Sequence, residues 1–361
     1  MKKGILALLV IGACWGAPLQ AQDWKDEVQK AAEKGDIDSQ ATLGAMYWLG
    51  EGVPQDDKQA VAWFRKAAEQ GNADAQVGLG SMYELGKGVP QDDKQAVTWY
   101  HKAAEQGHAL AQVGLGNMYA EGKGEAEDIQ QAHAWWRKAA EQGNAEAQFN
   151  LAQMYGKGKG VAQDIQQALA WLHKAAEQGN ASAQFNLGLI YAKGQGVPQD
   201  DKQAVIWLRK AAEQGNAEAQ FNLGVMYSTG QGVPQDIQQV VTWLRKAAEQ
   251  GNAEAQFNLG VMYAKGQGVP QDYKQAAVWY RKAAEQSNVE AQNNLAVLYA
   301  EGQGVPQDYK QAHAWFSVAA ANGYSNATKG RDMAAAELTP AGKEEAQALA
   351  GQYFEQYQPK Q

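Results

Sequence analysis

A 36-residue pattern recurs eight times in this chain without a single insertion or deletion, and that regularity decides what it can fold into. Aligning the Ala-Gln dipeptides starts the repeats at Ser39, Ala75, Ala111, Ala147, Ala183, Ala219, Ala255 and Ala291, so the array covers 39–326. A length of 361 residues would otherwise suggest two or three globular domains. A strict internal period overrides that expectation, because repeated units bury their apolar faces against their neighbours rather than in one central core.

Each unit reads as two helices. In repeat six the first spans roughly 219–229, with Ala219, Leu223, Met226 and Tyr227 on one stripe at i, i+4, i+7 and i+8. Gly230 ends it in the left-handed conformation that glycine tolerates. Gly232-Val233-Pro234 makes the turn, and Asp236 with Gln239 three residues on fits a capping box for the second helix. Val240, Trp243, Leu244, Ala247 and Ala248 form that helix's buried stripe. Gly251 ends it, and Asn252 is placed to cap the next unit.

Columns that do not vary within the chain include Leu43 to Leu295, Tyr47 to Tyr299, Asp56 to Asp308 and Trp63 to Trp315, each recurring every 36 residues. At helical spacing beside Ala-Ala, the Trp column is expected in the core rather than as a stacking platform for bases or sugars. The Asp column is explained by capping, without a bound metal. The Gly that follows most of the Leu residues is expected to let two helix backbones approach closely, with Ala152 and Ala296 replacing it in repeats four and eight.

The run A-Q-x-N-L-G-x-M-Y-x-x-G-x-G-V-P-Q-D-x-x-Q-A-x-x-W-x-x-K-A-A-E-Q-G-N-A resembles the Sel-one-like repeat, a relative of the tetratricopeptide repeat. The resemblance covers nearly the whole chain after its first residues. It implies an all-α fold, a right-handed α/α superhelical solenoid. Repeats three and four depart by carrying Ala126 and Ala162 in place of Pro, which is expected to loosen their turns. Residues 22–38 read as an N-terminal capping helix. Residues 327–361 read as a half-repeat followed by a capping helix that starts at Thr339-Pro340. On that last helix Ala346, Leu349, Tyr353 and Tyr357 would cover the exposed end of the core.

Residues 1–21 read as an export signal. Lys2 and Lys3 precede the apolar stretch 4–16, and Ala21 is the expected last residue of the signal. The expected location is therefore the periplasm or the outside of the cell. Lipidation at Cys14, within Ile11-Gly12-Ala13-Cys14, is the lesser alternative. Cys14 is the sole cysteine, so the exported chain would have no disulfide to stabilise it. The formal charge of −8 becomes −10 once the two lysines of the signal leave, and no basic block occurs. That excludes nucleic acid as a partner, because counterion release needs clustered Lys and Arg. Beyond the signal no apolar run is long enough to span a membrane.

Nothing in the chain assembles catalytic chemistry, so no enzyme activity, catalytic residue, metal or cofactor is expected. His101, His108, His133, His173 and His313 make no i, i+4 metal pair. The Gly-x-Gly turns lack the Lys-Ser/Thr and the preceding strand of a phosphate loop.

What varies along the array is the first helix. In repeat six Phe221, Val225 and Ser228 fall nearly opposite the core stripe. An apolar second face either packs between repeats or is left for a ligand. Resemblance to tetratricopeptide proteins implies that first helices line the concave surface. The candidate partner-binding residues are then Phe149, Phe185, Phe221 and Phe257, with Asn150, Asn186, Asn222 and Asn258 beside them to bond a peptide backbone. Lys157, Lys193 and Lys265 would attract carboxylates. Repeats one to three carry Ala41, Val77 and Val113 in the Phe place, and repeat eight carries Asn293. The expected function is that of an exported monomeric adaptor binding a protein or peptide, in the cell envelope or with host proteins. The alternative is a cell-wall-associated β-lactam-binding or hydrolytic protein, as in cysteine-rich relatives of the family, whose cysteines this chain lacks.

Overall fold

The computed structural model describes residues 21–357, and all regular structure among them is helical. Apart from Ala21, the expected signal lies outside the described residues, Cys14 included. Two compact units divide the chain after Gln178. The first holds α1 (Ala21–Glu33) and repeats one to four: α2 (Ile37–Leu49), α3 (Asp57–Glu69), α4 (Ala73–Leu85), α5 (Asp93–Glu105), α6 (Ala109–Glu121), α7 (Ile129–Glu141), α8 (Ala145–Lys157) and α9 (Ile165–Glu177). The second holds repeats five to eight: α10 (Ala181–Lys193), α11 (Asp201–Glu213), α12 (Ala217–Thr229), α13 (Ile237–Glu249), α14 (Ala253–Lys265), α15 (Tyr273–Ala284), α16 (Val289–Glu301) and α17 (Tyr309–Ala321). It ends with α18 (Ala327–Ala336) and α19 (Pro340–Tyr357). Within each unit, successive helices pack on one another, except that α19 packs on α17 rather than on α18.

Repeat six shows why the helices begin and end where they do. Asn216 accepts a 2.8 Å bond from the N–H of Ala219, so α12 starts two residues before the Ala-Gln dipeptide. Gly230, at φ +75°, closes it with its N–H on the carbonyl of Met226. Asp236 caps α13 by accepting from the N–H groups of Gln238 and Gln239. The reciprocal half of the expected capping box does not form. The Asp236 N–H is already given to the carbonyl of Tyr227, and the Gln239 Oε1 instead accepts from the Trp243 indole at 3.2 Å. The same Asp-to-Tyr closure recurs in all eight repeats. It includes Asp128 to Tyr119 and Asp164 to Tyr155, both at 3.0 Å, so the turns with Ala126 and Ala162 close like the others.

The Leu column is fully buried, with Leu79, Leu115, Leu187, Leu223, Leu259 and Leu295 at 0% exposure. The Gly after it works differently from expectation. A Cβ at Gly44, Gly80, Gly116 or Gly260 would strike the ring of Phe64, Tyr100, Trp136 or Tyr280. In those repeats this glycine makes room for a large side chain of the same repeat's second helix; at Gly188 and Gly224, where that side chain is Leu208 or Leu244, the backbone N of the leucine would also lie 3.2 and 3.7 Å from the Cβ. The tighter backbone approach occurs at the turn. A Cβ at Gly232 would lie 2.2 Å from the carbonyl oxygen of Asp201 in the preceding repeat, and Gly88 has the same relation to Asp57.

The Trp column is buried at Trp135, Trp207, Trp243, Trp279 and Trp315, and half-buried at Trp63, Trp99 and Trp171. In repeats one to seven, the Lys three residues on stands over the indole at 3.8–4.4 Å. Its stem covers apolar surface while the ammonium meets the ring face. At the N-terminal end, Trp24 and Val28 of α1 pack on Leu43 and Met46. At the other end Tyr353 and Tyr357 of α19 lie over Trp315, at 4.6 and 5.4 Å between ring centroids. Thr339 caps α19 through the N–H of Gly342. No helix among the described residues is long and apolar enough to cross a membrane.

Candidate docking face

The first helices present different faces in different repeats, and the residue following each Trp varies as well. In repeats one and two that residue is Phe64 or Tyr100. A Cβ at Gly78 or Gly114 of the next first helix would come within 2.8 Å or 3.3 Å of that ring. At Gly78 that ring leaves no room for a Cβ, and the adjoining Ala41, Val77 and Val113 are buried. In repeats five and six the same place holds Leu208 and Leu244, and the facing residues of the next first helix are Asn222 and Asn258. Each donates its amide N–H to its own helix, at the carbonyls of Glu218 and Glu254, both at 2.8 Å. That bond leaves Oδ1 as the acceptor end.

The four phenylalanines are half-buried rather than fully packed. Phe185 rests on the cluster around Leu208, and Phe221 on the cluster around Leu244. Phe257 lies 6.0 Å from the Tyr280 ring. Their inner edges therefore support the repeat, while their outer edges contribute to the helix face. Val225, one turn beyond Phe221, is 37% exposed. Lys193 and Lys265 are exposed in the last turns of α10 and α14, where the negative end of the helix dipole favours a cation. Phe185, Phe221 and Phe257 thus recur at one register position of three successive first helices in the second unit, with Asn186, Asn222 and Asn258 next to them.

Phe149, Asn150 and Lys157 belong to the first unit. There Asn150 is committed to structure: its amide donates to the Asn117 Oδ1 at 3.2 Å, which also accepts from the Trp136 indole at 3.0 Å. A small cleft of about 140 Å³ opens beside it, lined by Trp136, Gln153 and Lys157 among others. A larger one of about 600 Å³ opens at the far end of the second unit, between α16 and α18, with Phe316 in its wall.

The histidines are accounted for by local structure. His108 replaces the usual capping Asn; its Nδ1 accepts from the N–H of Ala111, and its Nε2 meets Asp74 at 3.0 Å. His133 Nε2 lies 3.3 Å from the Tyr155 hydroxyl. Among the described residues, no three His, Cys, Asp or Glu side chains gather as a metal site would need.

A role the sequence reading left unassigned belongs to the eight Gln residues of the Ala-Gln dipeptides. Seven of them share one bonding pattern: they are buried, and each accepts from the Gln or Asn at the end of its own repeat. Those seven also donate to the carbonyl of an alanine near the end of the preceding second helix. Their invariance within the chain was the available sign.

The model of the Sel1 repeat matches this chain eight times, at 37–72, 73–108, 109–144, 145–180, 181–216, 217–252, 253–288 and 289–324. A Sel1 repeat protein from Oxalobacter formigenes is similar at 36% identity, over 90% of this chain and 92% of that one, with a TM-score of 0.60. A protective antigen of uropathogenic Escherichia coli with an SLR fold is 35% identical over 99% of this chain and 92% of its own, with a TM-score of 0.43. No curated protein matches. Sel1 repeat proteins are generally protein–protein interaction scaffolds, and by its eight matched repeats this chain belongs to the Sel1 repeat family.

Proposed function

We propose that the chain is an exported, non-catalytic adaptor that holds a protein partner on its first-helix face, with Phe185, Phe221 and Phe257 as the apolar contacts. The observation that carries this reading is the half-burial of these rings beside Leu187, Leu223 and Leu259, which are fully buried. A residue kept only for packing would be expected to bury like the leucines. A ring with one free edge every 36 residues suits an extended or helical peptide, whose anchors also recur along its length. Asn186, Asn222 and Asn258 supply acceptors for its backbone N–H groups, and Lys193 and Lys265 supply cations for its carboxylates. Phe149, Asn150 and Lys157 hold the same repeat positions in the first unit. Export rests on Lys2, Lys3, the apolar stretch that follows and Ala21. It places the chain in the periplasm or outside the cell, meeting an envelope or host protein as a monomer.

The test is capture from envelope extract and from host secretions by the chain beginning at Gln22. The expected result is a protein retained by the wild type and lost by the Phe185→Ala, Phe221→Ala double variant, with helicity by circular dichroism unchanged. Equal retention by both would remove the phenylalanine row from the function. Residence in the cytoplasm on cell fractionation would remove export.

A further inference from the structure

Repeat eight interrupts the aromatic row, and the interruption has a shape. Asn293 stands where repeats five to seven carry Phe185, Phe221 and Phe257. It lines the cleft of about 600 Å³, together with Val297, Phe316 and Met333. Phe316 is the counterpart, one repeat on, of Tyr280, and the Phe257 ring sits 6.0 Å from Tyr280. By the same repeat geometry a ring at position 293 would lie over Phe316. Asparagine is too short to fill that place, and the cleft takes it up beside Val297, with the largely buried Phe316 beneath. Met333, 64% exposed, supplies one wall with a flexible, polarisable side chain that adapts to what it meets.

The cleft is also charged at one end. Glu301 is the last residue of α16 and Glu337 the C-cap of α18, and both are exposed and line the cleft. Two carboxylates thus lie at two helix C-termini, where the backbone dipoles add further negative potential. The one basic lining residue, Lys329, lies in the first turn of α18, towards the opposite end. An apolar slot with an anionic end selects a ligand that is aromatic and basic, and it fixes the ligand's direction.

We propose that this cleft binds a partner peptide through an aromatic side chain that takes the place of the missing repeat phenylalanine, with an adjacent Lys or Arg held by Glu301 and Glu337. Aromatic anchors in pockets carry much of the energy of protein recognition, while charged rims steer and orient it. The site uses none of Phe185, Phe221 or Phe257, so it stands or falls separately from the row.

The experiment titrates the full chain into a fluorescein-labelled peptide containing Phe-Lys-Lys between Gly-Ser spacers, read by anisotropy. Control peptides carry Ser for Phe, or Glu for both Lys. Asn293→Phe fills the slot with the residue that other repeats already carry, so its thermal melt should match the wild type or exceed it. The expected result is saturable binding, weakened about tenfold or more by either control peptide, by Asn293→Phe, and by the Glu301→Lys, Glu337→Lys pair. Phe185→Ala, Phe221→Ala should leave it unchanged. Absence of saturable binding, or binding that Asn293→Phe leaves intact, overturns the proposal.

Discussion

Gln220 accepts a 2.7 Å hydrogen bond from the Gln250 amide and donates its own amide to the carbonyl of Ala212 at 2.9 Å. One buried side chain thereby joins the C-terminal ends of two successive second helices, α11 and α13. Gln220→Leu keeps the approximate volume but leaves the Ala212 carbonyl and the Gln250 amide without this partner. The expected cost is about 1–3 kcal/mol. Urea unfolding would measure it, and hydrogen exchange should show the lost protection centred on repeats five and six. A neutral result would mean that water replaces the clamp without penalty.

Two glycines in repeat six separate backbone conformation from close approach. Gly251 has φ +94° and open space around its Cβ position, whereas Gly232 has φ +71° and the Asp201 carbonyl 2.2 Å away. Gly251→Ala should cost only the left-handed penalty of about 1–2 kcal/mol. Ser287, the counterpart of Gly251 in repeat seven, already adopts φ +69°. Gly232→Ala adds a collision with backbone and should cost clearly more. Melting temperatures of the two variants decide the order.

Trp207→Ala removes a buried indole and should cost about 3–5 kcal/mol locally. In a stack of repeats, stability is a sum of units and nearest-neighbour interfaces. Exchange protection should therefore fall in repeat five and its packed neighbours while distant repeats keep theirs. Uniform loss along the chain would show that the array unfolds as one cooperative body.

His313 gives the C-terminal cap a dependence on pH. The ring is buried, and its Nδ1 has no hydrogen-bond partner. Burial first, then the Arg331 guanidinium, hold it below the ordinary histidine range, against the opposing effects of Asp332 and the Ala346 carbonyl. The unfolded chain therefore takes up the proton more readily than the folded one. This contribution to stability is complete above the unfolded value of about 6.5 and is lost as pH falls through it toward the lower folded value. Acidification should release protection in Pro340–Tyr357 first. His313→Leu, the type of residue found at Leu169 in repeat four, should flatten the pH dependence of the melt.

The parts of the fold legible in the sequence are those set within one hairpin. Asn216, Gly230 and Asp236 act on groups a few residues away, so their spacing announces their roles. The partner of Gln220 lies thirty residues off in sequence, at Gln250, and no local period reveals it. A backbone approach was expected at the glycine after Leu223, where the Leu244 backbone N would lie 3.7 Å from a Cβ; the tighter one at Gly232 was not foreseen, because only the stacking of one turn on the preceding repeat brings Asp201 there. The phenylalanine row was visible as a pattern. Its half-burial was not, since it depends on how each ring rests on the second helix of its own repeat, whether on Leu208, Leu244 or the Tyr280 ring. The cleft at Asn293 was visible only as a missing Phe.

The central claim is that partners dock on the first-helix face, and site-specific photo-cross-linking tests it most directly. A photoreactive residue would replace Val225 of α12, which is 37% exposed, or Ile206 of α11, which is 45% exposed on a second helix. With envelope extract, the account predicts a discrete adduct from position 225, lost in the Phe185→Ala, Phe221→Ala background, and none from position 206. An adduct from position 206 alone, or equal yields from both, would contradict it.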